Sequence, residues 1–589
     1  MTKVDTSGKA TACKRIPYGM MNFEDVRHDN CYLVDKTQFI QKVEAANKFF
    51  FFIRPRRFGK SLTLSMLQNY YDVNKREQFA ELFGDLYIGS HPTPERNSYL
   101  ILSLDFSIVA AGLDNYKEGL DAHCEIQMEA FCSRYAHLLP ATISHGLKAR
   151  HGAVEQLQYL SNECAKAGQQ VYLFIDEYDH FTNKILAEPA HMTAYRRQTH
   201  GEGYLRLFFD GVKAATATSL KRVFVTGVSP VTMDDLTSGF NIGTNYSLSS
   251  EFNEMMGFTD KDVRQMLGYY ASAGNFHHTV DELIKVMKPW YDNYCFSEKK
   301  WGKITMYNSV MVLYFIDNYI HNDHEIPRDL VEDNIRMDYN KLRMLIRHDK
   351  HFENDASIIQ RLVTQGFVTG TLKKGFPAEA INDPDNFISL LFYFGMLTIA
   401  GTYRGKTKFV IPNEVVREQL YAYLLSTYRE NDLVYDTYRK SEIESDLAYD
   451  GDYEKYFGFI ADAIKQYSSQ RDKQKGEAFV HGFTLALASQ CEFYRPISEL
   501  DNQGGYADIF LRPLLENYPD MRHSYIVELK YCKSSTSDAE VEQLFADAKE
   551  QVNRYADSDI VRMESKGTQL HKLVVIFRGV DMVRCKEIK

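Results

Sequence analysis

The sequence lacks the features that mark a secreted, membrane-spanning or zinc-ribbon protein. Its 9 cysteines are scattered over 589 residues without a Cys-x-x-Cys pair, which argues against a zinc ribbon and against a disulfide framework. The N-terminus has no apolar core of the kind that a signal peptide needs. The most apolar short run, Phe49–Ile53, is far too short to span a bilayer. We therefore expect a cytoplasmic protein with free thiols and no membrane partner.

An excess of positive charge is absent as well, because the formal net charge is −10. Proteins that coat nucleic acid neutralise its phosphates with lysine and arginine, so this charge counts against such coating without excluding a local basic groove. Hydrophobic residues make up 44% and charged residues 25% of the chain, which is typical of an ordinary folded protein. A chain of 589 residues is too long for one compact core and predicts several domains.

Short apolar runs in the first half of the chain predict buried strands. The four runs are Phe49–Ile53, Tyr99–Leu104, Val171–Ile175 and Arg222–Thr226. Longer helical patterns, such as Leu62–Tyr71 and Gly119–Tyr135, lie between them. Strands that alternate with helices indicate an α/β fold with a parallel sheet, whose ligand site lies at the carboxyl ends of the strands. The residues that directly follow these strands are therefore candidates for a site.

The segment after the first strand has the features of a phosphate-binding loop. RPRRFGKS (residues 54–61) stands between this strand and a predicted helix, and such a loop directs backbone N–H groups and a helix N-terminus at phosphates. Lys60 would reach the β and γ oxygens of a nucleotide, and the Ser61 hydroxyl would complete a magnesium shell. Arg54 occupies the first glycine position of the general pattern, which requires a backbone that avoids positive φ. The alternative is a chance Gly-Lys-Ser at a strand–helix junction.

Two acids after the third strand supply the second half of this predicted site. Asp176 and Glu177 directly follow the run Val171–Ile175. A carboxylate at a strand end can hold the magnesium shell, and its neighbour can orient or deprotonate a water. Thr226 ends the fourth strand, where its hydroxyl either senses the γ-phosphate or is a plain polar strand end.

The rest of the chain divides into a mainly helical region and a second α/β region. Within 259–428 the pattern predicts a helix over Asn386–Leu397 and a small hairpin of Thr398–Gly401 and Lys408–Ile411. This arrangement is either a winged-helix module or a helical lid with an edge hairpin. Residues 429–456 are acidic and have few regularly spaced apolar positions, which indicates a linker. Strands are then predicted at Tyr506–Leu511, Tyr525–Leu529 and Lys572–Phe577.

Acidic residues inside the C-terminal strands predict a second site. Asp508 lies in an apolar strand, and Glu528 and Lys530 share one face of the next strand, because side chains alternate with period two. In a hairpin the two carboxylates would converge on one hard cation, and Lys530 would polarise the attacking water or the scissile phosphate. Glu477, on a helix predicted to begin near Gly476, is a candidate for a further metal-binding carboxylate. The alternative is a buried salt bridge in a small sheet.

Short motifs over most of the chain resemble a known family. The sequence is similar to the AAA-ATPase-like proteins that couple this ATPase domain to a C-terminal PD-(D/E)xK nuclease-like domain. The motifs are IPYG (16–19) with Phe23, YLVDKT (32–37), RPRRFGKS (54–61), LDFS (104–107), FIDEYD (174–179), VTGVSP (225–230), GFN (239–241), GFT (257–259) and PNEV (412–415). The resemblance implies that Arg54 is a family feature of the loop, and that the nucleotide is ATP and not GTP.

Together these observations predict an α/β protein of three parts. A P-loop NTPase parallel sheet is followed by a helical, winged-helix-like middle region and a C-terminal restriction-endonuclease-like α/β domain. The predicted boundaries are 1–258 for the AAA-like ATPase domain, 259–428 for the helical lid and winged-helix-like region, 429–456 for the acidic linker, and 457–589 for the nuclease-like domain.

The predicted site residues fall into three groups. Those that bind ATP are Arg54, Arg56, Arg57, Phe58, Gly59, Lys60, Ser61, Leu62, Asp176 and Thr226. Those that hold metal are Ser61 and Asp176 for Mg²⁺ at the nucleotide, and Glu477, Asp508 and Glu528 for Mg²⁺ or Mn²⁺ at the nuclease-like site. The predicted catalytic residues are Glu177, Asp508, Glu528 and Lys530. Arg56 and Arg57 have an alternative role, in which at least one of them pairs with Asp105 or Asp179.

Two functional hypotheses follow from these sites. In the first, ATP binding or hydrolysis controls a metal-dependent nuclease that acts on DNA or RNA. In the second, the protein is an ATP-driven conformational switch that binds nucleic acid or a protein partner and cuts nothing. Homo-oligomerisation is left open by the sequence.

Overall fold

Two units make up the chain when residues are grouped by their contacts. The first comprises Met1–His348 with Thr369–Glu414, and the second comprises Asp349–Val368 with Val415–Lys589. The structure is a computed structural model. It describes residues 2–4, 10–109, 115–181, 203–231, 242–274, 276–327, 329–332, 357–430, 435–469, 476–497, 509–515 and 517–589.

The N-terminal part of the first unit alternates strands with helices, as the sequence pattern predicts. Its described elements are β1 (Thr2–Val4), β2 (Ala10–Ala12), α1 (Phe23–His28), α2 (Gln38–Ala45), β3 (Phe49–Ile53), α3 (Lys60–Tyr71), α4 (Phe79–Phe83), α5 (Tyr87–Ser90), β4 (Leu100–Asp105), α6 (Tyr116–Arg134), α7 (Ile143–Lys148), α8 (Ala153–Lys166), β5 (Val171–Asp176), α9 (Tyr204–Ala215), β6 (Leu220–Gly227) and β7 (Thr244–Asn245).

Five of these strands form one parallel sheet in the order β4-β5-β6-β3-β7. Strand β6 therefore lies between β3, which precedes the phosphate-binding loop, and β5, which precedes the two acids. All carboxyl ends meet at one edge, where Ile53 pairs with Gly227 and Asp105 pairs with Asp176. This confirms the predicted α/β sheet and brings the predicted nucleotide residues to one edge.

Buried aromatic residues of the central strands stabilise this sheet. Strand β3 reads FFFFI, and Phe50, Phe51 and Phe52 are almost fully buried. Phe50 stacks on Phe224 of β6 with ring centroids 5.0 Å apart. A strand that is apolar on both faces suits a sheet covered on both sides, so β3 is held in the middle of the sheet and its end is a rigid support for the loop.

The remainder of the first unit is helical and ends in a hairpin. The described elements, in chain order, are α10 (Asp260–Ala271), α11 (Val280–Tyr291), α12 (Ser309–His321), α13 (Ile358–Gln365), β8 (Phe367–Gly370), α14 (Pro384–Tyr393), β9 (Thr398–Tyr403) and β10 (Lys406–Val410). Of these, α13 and the first two residues of β8 belong to the second unit, and the other elements belong to the first.

The end of this region has the topology of a winged-helix module. Strand β8 is followed by α14 and by the antiparallel hairpin β9–β10, and the three strands pair in the order β8-β10-β9. The helix ends at Tyr393 and not at the predicted Leu397, because Gly395 adopts a φ of +80° that favours glycine and ends a helix. Residues 386–393 of α14 are all buried.

The second unit combines helices with a mixed sheet. Its remaining elements are α15 (Glu414–Glu430), α16 (Thr437–Tyr449), α17 (Tyr453–Ser469), α18 (Glu477–Ala488), β11 (Tyr494–Ile497), β12 (Ile509–Pro513), β13 (His523–Cys532), α19 (Asp538–Ala556), α20 (Asp559–Glu564), β14 (Gln569–Arg578) and β15 (Asp581–Glu587). The strand order is β11-β12-β13-β14-β15, and only the pair β13–β14 is parallel. Helix α19 packs its apolar face, including Val541, Ala548 and Val552, on Ile526 and Val574 of the sheet.

The predicted linker over 429–456 differs from the structure, because α16 occupies much of it. Ile443 and Leu447 of α16 are buried, and the Leu447 carbonyl accepts a 2.6 Å hydrogen bond from the Tyr525 hydroxyl of β13. Lys440 and Glu444 are also buried and form an ion pair with each other. On the buried face of α16 these two charged residues stand where a helix usually has apolar ones. The apolar spacing that would predict a helix is therefore missing from the sequence.

No helix in the part of the chain that the structure describes is long and apolar enough to cross a membrane.

Candidate functional site

The phosphate-binding loop connects β3 to α3 at the carboxyl edge of the sheet. Gly59, the residue before α3, has a φ of +84°, which a glycine adopts without strain. Arg57 also has a positive φ, of +68°, and its carbonyl accepts hydrogen bonds from the Ser309 hydroxyl at 3.1 Å and from the Val310 amide at 3.3 Å. The start of α12 therefore holds the loop in its strained conformation.

Lys60 is folded back on the loop. Its Nζ donates to the carbonyl oxygens of Arg54 at 3.2 Å and Pro55 at 3.1 Å, and the residue is only 7% exposed. Burial lowers the pKa of the Lys60 ammonium, and the carboxylates of Glu177 and Asp176 oppose this effect. An ammonium held by neutral carbonyls is ready to exchange them for phosphate oxygens, which bind it more strongly because they are charged.

The two predicted acids face this lysine. The Ser61 hydroxyl donates to Asp176 Oδ2 at 3.1 Å, so the two predicted magnesium ligands already lie side by side. Burial raises the pKa of Asp176 to about 6, while Lys60 acts in the opposite direction. A carboxyl group with a raised pKa in a cleft is a common mark of a functional site.

Glu177 has an unusual backbone conformation, with a φ of +49°, which costs energy for a residue with a side chain. Its amide donates to Asp176 Oδ1 at 2.9 Å. Burial, followed by the nearby Asp179 carboxylate, raises the pKa of Glu177. Glu177 lines the cleft, so the strained turn brings an acid with raised proton affinity to the cleft wall.

A cleft of about 830 Å³ opens above these residues, within the usual size range of small-molecule sites. The loop and the acids supply its charged lining. Its further lining residues include three segments that sequence analysis did not assign to the site: Pro17, Tyr18, Gly19, Met20 and Met21 from the N-terminal segment, Tyr32, Leu33 and Val34 from the next motif, and Met255, Met256, Gly257 and Phe258 before α10. Charged and apolar walls together suit the phosphates and the base of a nucleotide.

The structure describes three of the four residues of the predicted C-terminal site, namely Glu477, Glu528 and Lys530. Glu528 of β13 is 1% exposed, and its Oε1 lies 2.7 Å from Lys530 Nζ, so the two side chains share a face as the strand period predicts. Glu477 is exposed in the first turn of α18. Asp508 lies outside the described residues. Within those residues no group of three His, Cys, Asp or Glu side chains forms a metal site.

Comparison with protein families gives a match for the segment that carries each predicted site. The sequence profile of the family described as "Predicted AAA-ATPase" matches residues 17–237, and that of the PD-(D/E)XK nuclease superfamily matches residues 475–587. Residues 17–237 thus form an AAA-ATPase-like domain, and residues 475–587 form a PD-(D/E)XK nuclease-like domain. The two matches fall on the two predicted sites, which confirms the resemblance noted from the sequence motifs.

Similar proteins add little to this assignment. An uncharacterized protein in the vnfD 5'region of Azotobacter chroococcum mcd 1 is 27% identical over 252 residues, which cover 42% of this chain and 44% of that protein. The chain thus spans less than half the length of this curated relative. The crystal structure of Cdc6p from Pyrobaculum aerophilum has 12% identity and a TM-score of 0.26, with 72% of this chain and all of the other covered. The structure of the Aeropyrum pernix ORC2 protein has 11% identity and a TM-score of 0.30, and the match covers 67% of this chain and 93% of that protein's chain. Likenesses at these scores carry no conclusion.

Arg54 of the AAA-ATPase-like domain is placed away from the cleft. Its guanidinium is buried between the rings of Phe52 and Phe296, at 4.1 and 4.2 Å from their centroids. It donates to the carbonyl oxygens of Ser247 at 2.7 Å and Phe252 at 3.2 Å, and burial lowers its pKa to about 9. Arg54 is not among the residues with positive φ, as the glycine position requires when it carries a side chain. The side chain thus ties the loop to the 247–252 segment.

Thr226 is also directed away from the cleft. Its hydroxyl donates to the Phe52 carbonyl at 2.7 Å within the sheet, which is the plain strand-end role. The Asp179 carboxylate accepts hydrogen bonds from the amides of Val228 and Ser229, the two residues that directly follow β6.

The two loop arginines differ from each other in position. Both line the cleft, and Arg57 Nη1 lies 3.1 Å from Glu332 Oε2, a partner that the sequence did not suggest. Burial and a hydrogen bond to the same Glu332 raise the pKa of Tyr18. No sequence signal joins Tyr18, Arg57 and Glu332, because they are more than 250 residues apart at the extremes and only the fold brings them together.

Asp105 is a further acid that the structure adds to the site. It ends β4 directly beside Asp176 and lines the cleft, and it adds to the rise in the pKa of Asp176. The sequence could have predicted this position of Asp105, because acids at the ends of neighbouring parallel strands lie at the same edge of the sheet.

Proposed function

We propose that this chain hydrolyses ATP in the cleft and that its AAA-ATPase-like domain controls a metal-dependent nuclease-like domain that acts on nucleic acid. The observation that carries the proposal is the cleft itself, in which Lys60, Ser61 and the acid pair Asp176–Glu177 meet at the carboxyl edge of a parallel sheet. The nuclease half is supported by the superfamily match and by the Glu528–Lys530 pair.

In the ATPase half, the loop amides and Lys60 would hold the phosphates, and Ser61 with Asp176 would hold Mg²⁺. The ion would neutralise charge on the transferring phosphoryl group. Glu177 would accept a proton from the attacking water, whose oxygen bonds to the γ-phosphorus as the bond to the β–γ bridging oxygen breaks. ADP and inorganic phosphate result. The raised pKa of Glu177 suits a base that must take a proton near neutral pH.

In the nuclease-like half, Asp508, Glu528 and Glu477 would hold Mg²⁺ or Mn²⁺, which would supply a Lewis acid beside the scissile phosphate. Glu528 fits this role because a buried carboxylate needs a cation, and Lys530 now provides one at 2.7 Å. Lys530 would then turn to the phosphate or the attacking water. The proposed substrate is DNA or RNA, the proposed site of action is the cytoplasm without a membrane, and a homo-oligomer is compatible with the proposal.

A cleavage assay tests the proposal. Wild type, Lys60→Ala and Asp508→Ala would be incubated with mixed DNA and RNA substrates and Mg²⁺ or Mn²⁺, with and without ATP. We expect cleavage to be lost in Asp508→Ala and to lose its response to ATP in Lys60→Ala. Lys530→Ala should also abolish cleavage, whereas Lys549→Ala, an exposed lysine on α19, should not. Metal-dependent cleavage that survives both Asp508→Ala and Lys530→Ala would contradict the nuclease half.

A second candidate is an ATP-driven switch that binds nucleic acid or a protein partner without cutting. The winged-helix topology of β8, α14 and the hairpin favours it. It predicts ATP hydrolysis that is lost in Lys60→Ala, no cleavage by any form, and nucleic-acid binding that is indifferent to Asp508→Ala. Equal binding with and without ATP would exclude it.

A further inference from the structure

The β9–β10 hairpin and the loop before α12 form one continuous surface in the first unit. We name residues 298–303 together with 402–408 the hairpin–loop surface. The Thr407 hydroxyl donates to Glu298 Oε1 at 2.5 Å. The Trp301 ring lies on the hairpin backbone so closely that a Cβ on Gly401 would be 3.0 Å from two of its atoms. The loop and the hairpin are therefore packed against each other.

The hairpin–loop surface is basic on a chain of net charge −10. It contains six lysines and arginines and one glutamate: Lys299, Lys300, Lys303, Arg404, Lys406, Lys408 and Glu298. Lys300 is paired with Glu254 at 2.9 Å. Within the described residues, Lys299, Lys303, Arg404 and Lys406 have no acidic partner, and all four are exposed. Their uncompensated charge suits a polyanion.

Exposed aromatic rings lie among these cations. Trp301 is 52% exposed and Tyr403 is 43% exposed, and the Arg404 guanidinium is 5.2 Å from the Tyr403 ring. A single exposed ring is ordinary, but exposed apolar groups that occur together and are bordered by polar residues often mark a binding surface. Cations that alternate with exposed rings are the pattern by which proteins hold unpaired bases and their phosphates.

The buried helix of the same module excludes a different mode of binding. In a helix–strand–helix–hairpin module, the helix before the hairpin is the one placed to read a duplex groove. Here that helix is α14, and residues 386–393 are all buried within the protein. The helix has no free face for a groove, so the exposed hairpin–loop surface is what the module offers to nucleic acid.

We propose that the hairpin–loop surface binds single-stranded nucleic acid without sequence preference. Lys303, Arg404 and Lys406 would contact phosphates, and one base would stack on Trp301. This inference rests on the proposed function, since it presumes that the chain acts on nucleic acid, and it adds a binding surface in the first unit to the cleavage site proposed for the nuclease-like domain.

The test measures binding by the full chain with fluorescently labelled single-stranded DNA, single-stranded RNA and duplex DNA, by anisotropy at several salt concentrations in EDTA to prevent cleavage. We expect Lys303→Glu/Lys406→Glu to weaken single-strand binding at least tenfold and to reduce the salt slope by about 0.7 for each phosphate that the variant no longer neutralises. The matched control Lys261→Glu/Lys285→Glu, which reverses two exposed lysines on α10 and α11, should bind as wild type.

Tryptophan fluorescence can report the base that stacks on Trp301. The chain has only 2 tryptophans, and the second one, Trp290, is only 8% exposed. Single strands should quench Trp301 fluorescence and leave Trp301→Phe without a response. Trp301→Ala should weaken binding about fivefold or more, while Trp301→Phe should restore most of the affinity. Unchanged thermal unfolding would show that the variants are folded.

Each remaining outcome overturns a different statement. If wild type binds single strands and the hairpin–loop variants bind equally well, the surface is assigned wrongly while the proposed function stands. If duplex binds more tightly and Trp301→Ala has no effect, the single-strand assignment fails. If wild type binds no nucleic acid of any kind, both this inference and the nucleic-acid part of the proposed function fail.

Discussion

A single arginine shows how this phosphate-binding loop differs from the general pattern. Arg54 stands where most such loops have glycine, and its guanidinium is sandwiched by Phe52 and Phe296. It donates hydrogen bonds to the carbonyl groups of Ser247 and Phe252. The side chain thus ties the loop to the 247–252 segment and does not line the cleft.

Replacing Arg54 should therefore affect stability first. We expect Arg54→Ala to lower the free energy of unfolding by about 3 kcal/mol or more, since several buried carbonyls lose a donor. Arg54→Lys should restore only part of the lost stability. An ammonium is not planar, so it cannot stack between two rings and donate to two carbonyl oxygens at the same time. Thermal unfolding would measure both, with the exposed Arg134→Ala as the control. A fully stable Arg54→Ala with a large rise in KM for ATP would instead indicate a phosphate contact.

At the scale of elements, the turn between α14 and the hairpin lies against the phosphate-binding loop. Gly395 is so close that an added Cβ would be 2.9 Å from Pro55 Cβ. Phe58 of the loop also packs on Tyr294 and Phe296, with centroids 5.0 and 5.3 Å away, and these residues lead into the loop of the hairpin–loop surface. A change at the nucleotide therefore has a direct packing route to that surface.

Gly395→Ala tests this route. The added methyl must displace Pro55, so we expect KM for ATP to rise severalfold while the protein stays folded. Gly168→Ala is the matched control, because Gly168 has a similar φ of +72° but a Cβ there would meet nothing within 4 Å. Both variants bear the same backbone strain, and steady-state ATPase kinetics separate strain from displacement. Equal KM values for the two variants would show that the packing of Gly395 on Pro55 does not influence nucleotide binding.

At the scale of the whole molecule, the chain has two compact units, and the proposed ATP site lies in the first. A ligand that binds only the folded form stabilises it by RT ln(1 + [L]/Kd), which is about 2.7 kcal/mol at one hundred times Kd. Two units are expected to unfold in separate steps when each has its own core.

We therefore expect Mg²⁺ with ATP to raise the midpoint of one calorimetric transition by several degrees and to leave the other in place. Lys60→Ala should lose the shift and keep both transitions. An equal shift of both transitions in wild type would mean that nucleotide binding stabilises the two units together, and no shift at all would argue against an ATP site in the cleft.

Much of this organisation could be predicted from local sequence. The FFFFI run at 49–53 and the VYLFI run at 171–175 are strands because such apolar runs must be buried on both faces. Lys60, Ser61, Asp176 and Glu177 meet because parallel strands end at one edge. The helix Thr437–Tyr449 was hidden by its buried Lys440–Glu444 pair, which the apolar period does not reveal.

What the sequence by itself determined was therefore the strands, the phosphate-binding loop and the acids that follow the strands, since these depend on residues close together in the chain. Only the tertiary structure decided that the Arg54 side chain points away from the cleft, that Arg57 pairs with Glu332, and that Trp301 lies on the hairpin. These contacts join residues far apart in sequence, and the direction of a long side chain depends on which neighbours the fold brings within reach.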